Sequence, residues 1–143
     1  MHGRSTTIGA IAQLAAPHPT PTRRRTAFQR QAWEVIGQIV VYRSLPDHSI
    51  ELALFDDHGY VRVGLPSRDC LTKATRARGA IVAARKELVS RCGPPRPNSR
   101  AAGAVGYFTG VGFWNGKRPK LQAAANGAEL QPLTSLHLIA GCR

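Results

Sequence analysis

Gly106-Tyr107-Phe108-Thr109-Gly110-Val111-Gly112-Phe113-Trp114-Asn115 is followed, after ten residues, by Asn126-Gly127-Ala128-Glu129-Leu130-Gln131-Pro132-Leu133. Three glycines set among aromatic and β-branched residues, then a polar loop and a second alternating run, predict two strands that close a small β-barrel or sheet. The strands are expected over about 104–114 and 127–139, with the loop at about 115–125.

Upstream, Val35-Ile36-Gly37-Gln38-Ile39-Val40-Val41-Tyr42 is rich in β-branched residues and reads as a strand, with Gly37 a bulge or bend. Ile50–Phe55 and Tyr60–Leu65 alternate apolar with other residues, and Asp56-Asp57-His58-Gly59 between them has hairpin-turn chemistry. Leu71, Ala74, Ala77, Ile81, Ala84 and Leu88 recur at helical spacing, predicting a helix over 71–91 with Ser67 or Asp69 as its N-cap. Gly79 inside it suggests a close approach or a break. Gly93-Pro94-Pro95 stops the helix and opens a linker-like loop over 93–103. Three strands, one helix and two strands give an α+β, mainly β fold. The expectation is an OB-like five-stranded barrel with its helix between strands three and four. This barrel domain spans 33–140. Residues 1–32, with Pro17-His18-Pro19-Thr20-Pro21 and Arg23-Arg24-Arg25, read as a basic, proline-rich, flexible and disordered arm.

The chain has 143 residues and a formal net charge of +12. The excess sits at the ends: residues 1–33 carry five basic and no acidic side chains, and 93–143 carry six against one. Such a balance attracts polyanions through counterion release and long-range fields, and it also suits a merely solvated surface. Cys70, Cys92 and Cys142 form neither a CxxC pair nor an even framework. A helix over 71–91 would hold Cys70 and Cys92 roughly 30 Å apart, too far for a bridge. A reducing cytoplasm is the simpler expectation. The alternative is export, because Ile8–Ala16 after Arg4 has a weak signal-like apolar character. No run approaches the ~20 apolar residues of a membrane span.

Gly59–Cys70 together with the opening stretch resembles a family of small bacterial proteins of unknown function. Their shared motif reads GVGFFD, ten residues, then NGIELHPV. Gly110–Asn115 and Asn126–Leu133 fit that frame without a gap, and the resemblance covers about residues 34–139. The motif's aspartate falls on Asn115, its loop histidine on Arg118 and its later histidine on Gln131. An aspartate and two histidines suit acid–base or metal chemistry; asparagine, arginine and glutamine do not. The resemblance therefore implies that any such site is absent here, with Asn126 and Glu129 left to brace the loop.

No other constellation has a catalytic or metal-binding pattern. Asp47, His48, Asp56, Asp57 and His58 gather at hairpin tips, where turn chemistry alone accounts for them. Ser67 lacks a nucleophile elbow, and the glycines at 106–112 lack the GK[ST] of a phosphate loop. No cofactor is expected. An OB-like barrel binds single strands through stacking aromatics and a basic groove. Tyr42, Tyr60, Tyr107, Phe108 and Trp114 are the aromatic candidates, part of them expected in the core, and Arg62, Lys117, Arg118 and Lys120 the phosphate contacts. The sequence thus points to a non-catalytic module for single-stranded nucleic acid or another polyanion. A hydrolase or nuclease relative and a protein-interaction module are the alternatives.

Overall fold

The computed structural model describes residues 3–71, 77–117 and 121–142. Its body is a mainly β, OB-like barrel closed by five long strands. These are β2 (Ala32–Ser44), β3 (Ile50–Phe55), β4 (Tyr60–Leu65), β6 (Val105–Trp114) and β7 (Ala128–Ala140); β1 (Arg4–Ser5) and β5 (Arg100–Ala101) are short additions to β2. The neighbours run β2-β3-β4-β7-β6, and β6 pairs back onto β2. All these pairs are antiparallel except β4 with β7, where Arg62 opposes Glu129 in a parallel ladder.

Closure depends on β2. Its first half, Ala32–Gln38, pairs with β6, and its second half, Gln38–Ser44, pairs with β3. One strand can serve both neighbours only if it bends. The register shifts between Ile39 and Val41, so the bulge lies at Val40 and not at the expected Gly37. Gly37 pairs with Gly106 and meets Ile8 instead. Alternation then fills the interior: Ile50, Leu52 and Leu54 from β3, Val61, Val63 and Leu65 from β4, and Phe108 from β6 are buried.

Helix α2 (Arg78–Cys92) comes between β4 and β6 in the chain and buries Ile81, Ala84 and Leu88. The helix expected over 71–91 is corrected at its start. Ser67 accepts from the Asp69 amide and caps only a 3-10 turn, Arg68–Cys70, after which Leu71 is extended. Positions 72–76, including Ala74, lie outside the described residues. A Cβ on Gly79 would meet nothing within 4 Å among the described residues, so no close approach explains it, and α2 runs through it without a break. At the other end, the buried Tyr42 hydroxyl lies 2.6 Å from the Cys92 carbonyl and 3.0 Å from that of Gly93, donating to backbone groups that the helix itself cannot satisfy.

Two expectations from the sequence are overturned. Cys92 is bridged to Cys142 with their Cα atoms 4.8 Å apart. The argument for free thiols weighed only Cys70 with Cys92; the fold instead returns the end of β7 to the end of α2. The arm expected over 1–32 is not a flexible tail across its described residues, 3–32. β1 pairs in parallel with β2, a short helix α1 (Ile8–Ala12) buries Ile8 and Ile11, and Phe28 packs its ring 4.9 Å from that of Trp114. Apolar residues spaced through a polar, proline-rich segment are sufficient to seat it once the barrel offers a complementary surface.

Candidate nucleic-acid interface

The loop between β6 and β7 begins at Asn115, whose single side chain organises its mouth. The Asn115 side-chain oxygen Oδ1 accepts from the Lys117 backbone amide at 2.9 Å, and its side-chain nitrogen donates to Glu129 at 2.8 Å. From β7, Gln131 donates to the other Glu129 oxygen at 2.7 Å. The carboxylate is thus held between two amides, and Glu129 is buried. Burial pushes its carboxyl above the ordinary carboxylate value; the Asn115 hydrogen bond opposes this, Glu51 adds to it, and Gln131 and Arg62 oppose it further. Of the three positions at which the resembled motif has an aspartate or a histidine, two, Asn115 and Gln131, therefore converge on one acid. The third, Arg118, lies outside the described residues.

At the far end of the loop, Gly127 adopts φ +80°, a left-handed conformation that favours glycine. The turn aims Asn126 at the N-terminal segment. Its amide donates at 2.9 Å to both the Ile11 and Leu14 carbonyls, at the C-terminal end of α1. Asn126 and Glu129 brace the loop by hydrogen bonds, to partners as far away in sequence as Ile11 and as near as Gln131.

Arg62 is held by partners within the protein. It forms an ion pair with Glu51, which also pairs with Arg43 at 3.1 Å. Its remaining donors reach the Gln122 carbonyl at 3.0 Å and the Leu121 carbonyl at 2.7 Å, so it ties the loop to the outer face of β4. Arg43 is more exposed and leaves one net positive charge on this Arg43–Glu51–Arg62 group. Beside it, Val41, Arg43, Ala53, Arg62 and Gln122 line a recess of about 220 Å³.

Trp114 is removed from the interface. It is 5% exposed, and its indole N–H donates to the Thr26 hydroxyl at 3.0 Å. Alternation along β6 turns it inward, under a segment that the sequence reading had treated as a loose tail. Tyr42 and Phe108 are core residues for the same reason. Tyr107, on the opposite face of β6, is 38% exposed between Ile36 and His137 on neighbouring strands. Tyr60 is half-buried, its ring 4.8 Å from that of Phe55. Lys117 is exposed. Arg118 and Lys120, the other two cations proposed for this loop, fall outside the described residues.

Arg24 is a contributor that the sequence reading missed. It donates to the Gly112 carbonyl at 2.7 Å and to the Gln131 carbonyl at 2.9 Å, pinning the N-terminal segment across β6 and β7. Within Arg23-Arg24-Arg25 nothing local separates this arginine from its exposed neighbours. Arg24, Asp47, Glu51, Phe113 and Gln131 are among the residues lining a groove of about 480 Å³ beside it. Among the described residues no group of three or more His, Cys, Asp or Glu side chains has metal-binding proximity. The hairpin acids serve their own turns: Asp47 accepts from the Ser49 hydroxyl and amide, which hold its carboxyl below the ordinary value, and Asp56 accepts from the His58 amide.

A barrel of this order has counterparts among solved structures. Entamoeba histolytica asparaginyl-tRNA synthetase in complex with asparaginyl-adenylate matches with a TM-score of 0.50 and 15% identity over 88% of this chain. A protein assigned as an aspartyl-tRNA synthetase from Leishmania major Friedlin matches with 0.52 and 12% over 89%. The likeness establishes the fold alone. This chain spans 24% and 23% of those two chains. No protein-family model matches it, and no curated protein matches it.

Proposed function

We propose that this chain is a non-catalytic, OB-like module that binds single-stranded nucleic acid, through backbone charge more than base identity. The observation that carries the reading is the placement of the loop between β6 and β7. It is anchored by Asn115, Asn126 and Arg62 and leaves Lys117 exposed; as the connection between the fourth and fifth barrel strands, it corresponds to one of the loops with which OB-folds bind single strands. Here α2 is read as the helix that follows the third barrel strand. The net charge of +12 supports the reading, as does the likeness to part of two proteins named as tRNA synthetases. Lys117, Arg118, Lys120 and Arg43 would meet phosphates, with Arg62 holding the loop in place and Tyr107 offering a stacking face.

The clamp around Glu129 supports a binding role over hydrolysis. A carboxylate held by two amides has no imidazole partner with which to exchange a proton near neutral pH.

Fluorescence anisotropy with a labelled single-stranded oligonucleotide at several salt concentrations tests the proposal. Affinity should fall steeply with salt, and replacing Lys117, Arg118 and Lys120 together by alanine should flatten the log–log slope by about 2, at roughly 0.7 per lost phosphate contact. Binding indifferent to salt, or a slope unchanged in the triple variant, would overturn it. A metal-dependent nuclease activity lost in Glu129→Ala would favour the hydrolase alternative.

A further inference from the structure

A second feature lies on α2, away from the loop between β6 and β7. Leu71, Ile81, Val82 and Val89 wall a groove of about 300 Å³, and three cations, Arg68, Arg85 and Lys86, stand among them. At ~30 Å³ per water the space equals roughly ten waters, enough for a small organic molecule. Val82, Arg85 and Val89 follow one another at spacings of three and four, so they form one stripe along the helix, flanking the buried Ile81 and Leu88.

The chemistry of that stripe is unbalanced. The Arg85 Nη1 atom is buried and has no hydrogen-bond partner among the described residues. Buried polar atoms are nearly always paired, and a charged donor left unpaired is more costly than a neutral one. None of the described residues lining the groove is acidic, and both ion pairs among the described residues belong to Glu51. A guanidinium has five donors and no acceptor, so an anion in the groove would find free donors on Arg85 and no carboxylate among the described lining residues to compete for them. Exposed Lys86 and Arg68 add positive charge beside it, while the remaining wall is hydrocarbon.

We propose that this groove binds a small amphiphilic anion. A carboxylate or phosphate head is seated on Arg85 with Lys86 and Arg68 beside it, and a short apolar chain lies along Val82, Val89 and Leu71. A guanidinium fork matches either head group through paired N–H donors, and the apolar wall distinguishes such a ligand from a free inorganic anion. The site shares no residue with the loop between β6 and β7, so it stands or falls separately from nucleic-acid binding.

Isothermal titration of the full chain with decanoate, decyl phosphate, decanol and the shorter hexanoate tests the assignment. The charged ten-carbon probes should bind saturably, and decanol about tenfold or more weaker, because it lacks the charge-assisted bond. Which of decanoate and decyl phosphate binds tighter identifies the head group. Each methylene from hexanoate to decanoate should tighten binding about fourfold. Arg85→Gln should bring decanoate to the level of decanol. Should that variant fail to fold, Val82→Trp, which fills the groove from its wall, should abolish binding of both while oligonucleotide binding persists. Equal affinity for decanoate and decanol, no dependence on chain length, or unchanged binding in folded Val82→Trp would overturn the proposal.

Discussion

Replacing Cys92 and Cys142 together by serine is expected to lower stability by about 4 kcal/mol. The bridge spans a sequence separation of 50. A cross-link of that length removes loop-closure entropy from the unfolded chain worth about 4 kcal/mol at 25 °C. The folded state adds a reason for the bridge to be well seated: Cys92 is the last residue of α2, and its carbonyl is already fixed by the Tyr42 hydroxyl. For 143 residues the unfolding entropy is about 0.3 kcal/mol/K, which converts the loss to roughly 13 °C in Tm. Circular-dichroism melts of the wild type, the double serine variant and reduced wild type provide the measurement, the last two falling together. Thiol titration in denaturant should find only Cys70 before reduction and all three cysteines after it. A Tm change below about 3 °C, or three reactive thiols in protein purified without reductant, would refute the assignment of the bridge.

Gly112→Ala should cost about 1–3 kcal/mol in urea unfolding, because its Cβ would overlap the Phe28 carbonyl oxygen and backbone would have to move; an unchanged midpoint contradicts the close approach. Glu129 holds its proton more tightly folded than unfolded. The stability from that difference is present below the ordinary carboxyl range and is lost as pH rises through the folded value. Urea midpoints of Glu129→Gln should therefore decline less than wild type from about pH 4 to about pH 7, and parallel curves would count against the raised value. Deleting residues 1–31 removes Ile8, Ile11 and Phe28 from the core at about 1.5–3 kcal/mol each, so the truncated chain should lose roughly 5–9 kcal/mol and melt early or not fold. A truncated barrel with wild-type Tm would show that the segment does not pack.

The strands of the barrel were legible because burial on one face of a strand writes a two-residue period into the sequence. Ile50–Phe55 and Tyr60–Leu65 occur at the limits read from that period, and the runs around Val35–Tyr42, 104–114 and 127–139 differ only at their ends. The buried stripe Ile81, Ala84 and Leu88 was legible for the corresponding helical reason. The start of α2 was not. Ser67 and Asp69 have the chemistry of a cap, and only the local chain path turned that cap into a 3-10 turn followed by extended Leu71. The candidate site was legible in part. Arg62 and Lys117 lie at the loop, but the same alternation that identified β6 placed Trp114 inside, where an aromatic residue has no face for a base.

By itself the sequence determined the local grammar: where strands alternate, where Asp56-Asp57-His58-Gly59 turns between two of them, and where positive charge accumulates. Those properties depend on neighbours in the chain. The tertiary structure decided every pairing between distant residues. It bridged Cys92 with Cys142, seated the N-terminal segment through Arg24 and Phe28, moved the bend of β2 to Val40, and closed two amides on Glu129. Each of these depends on which surfaces meet when the barrel closes, and side-chain identity is silent on that until the backbone brings the partners within a few ångströms.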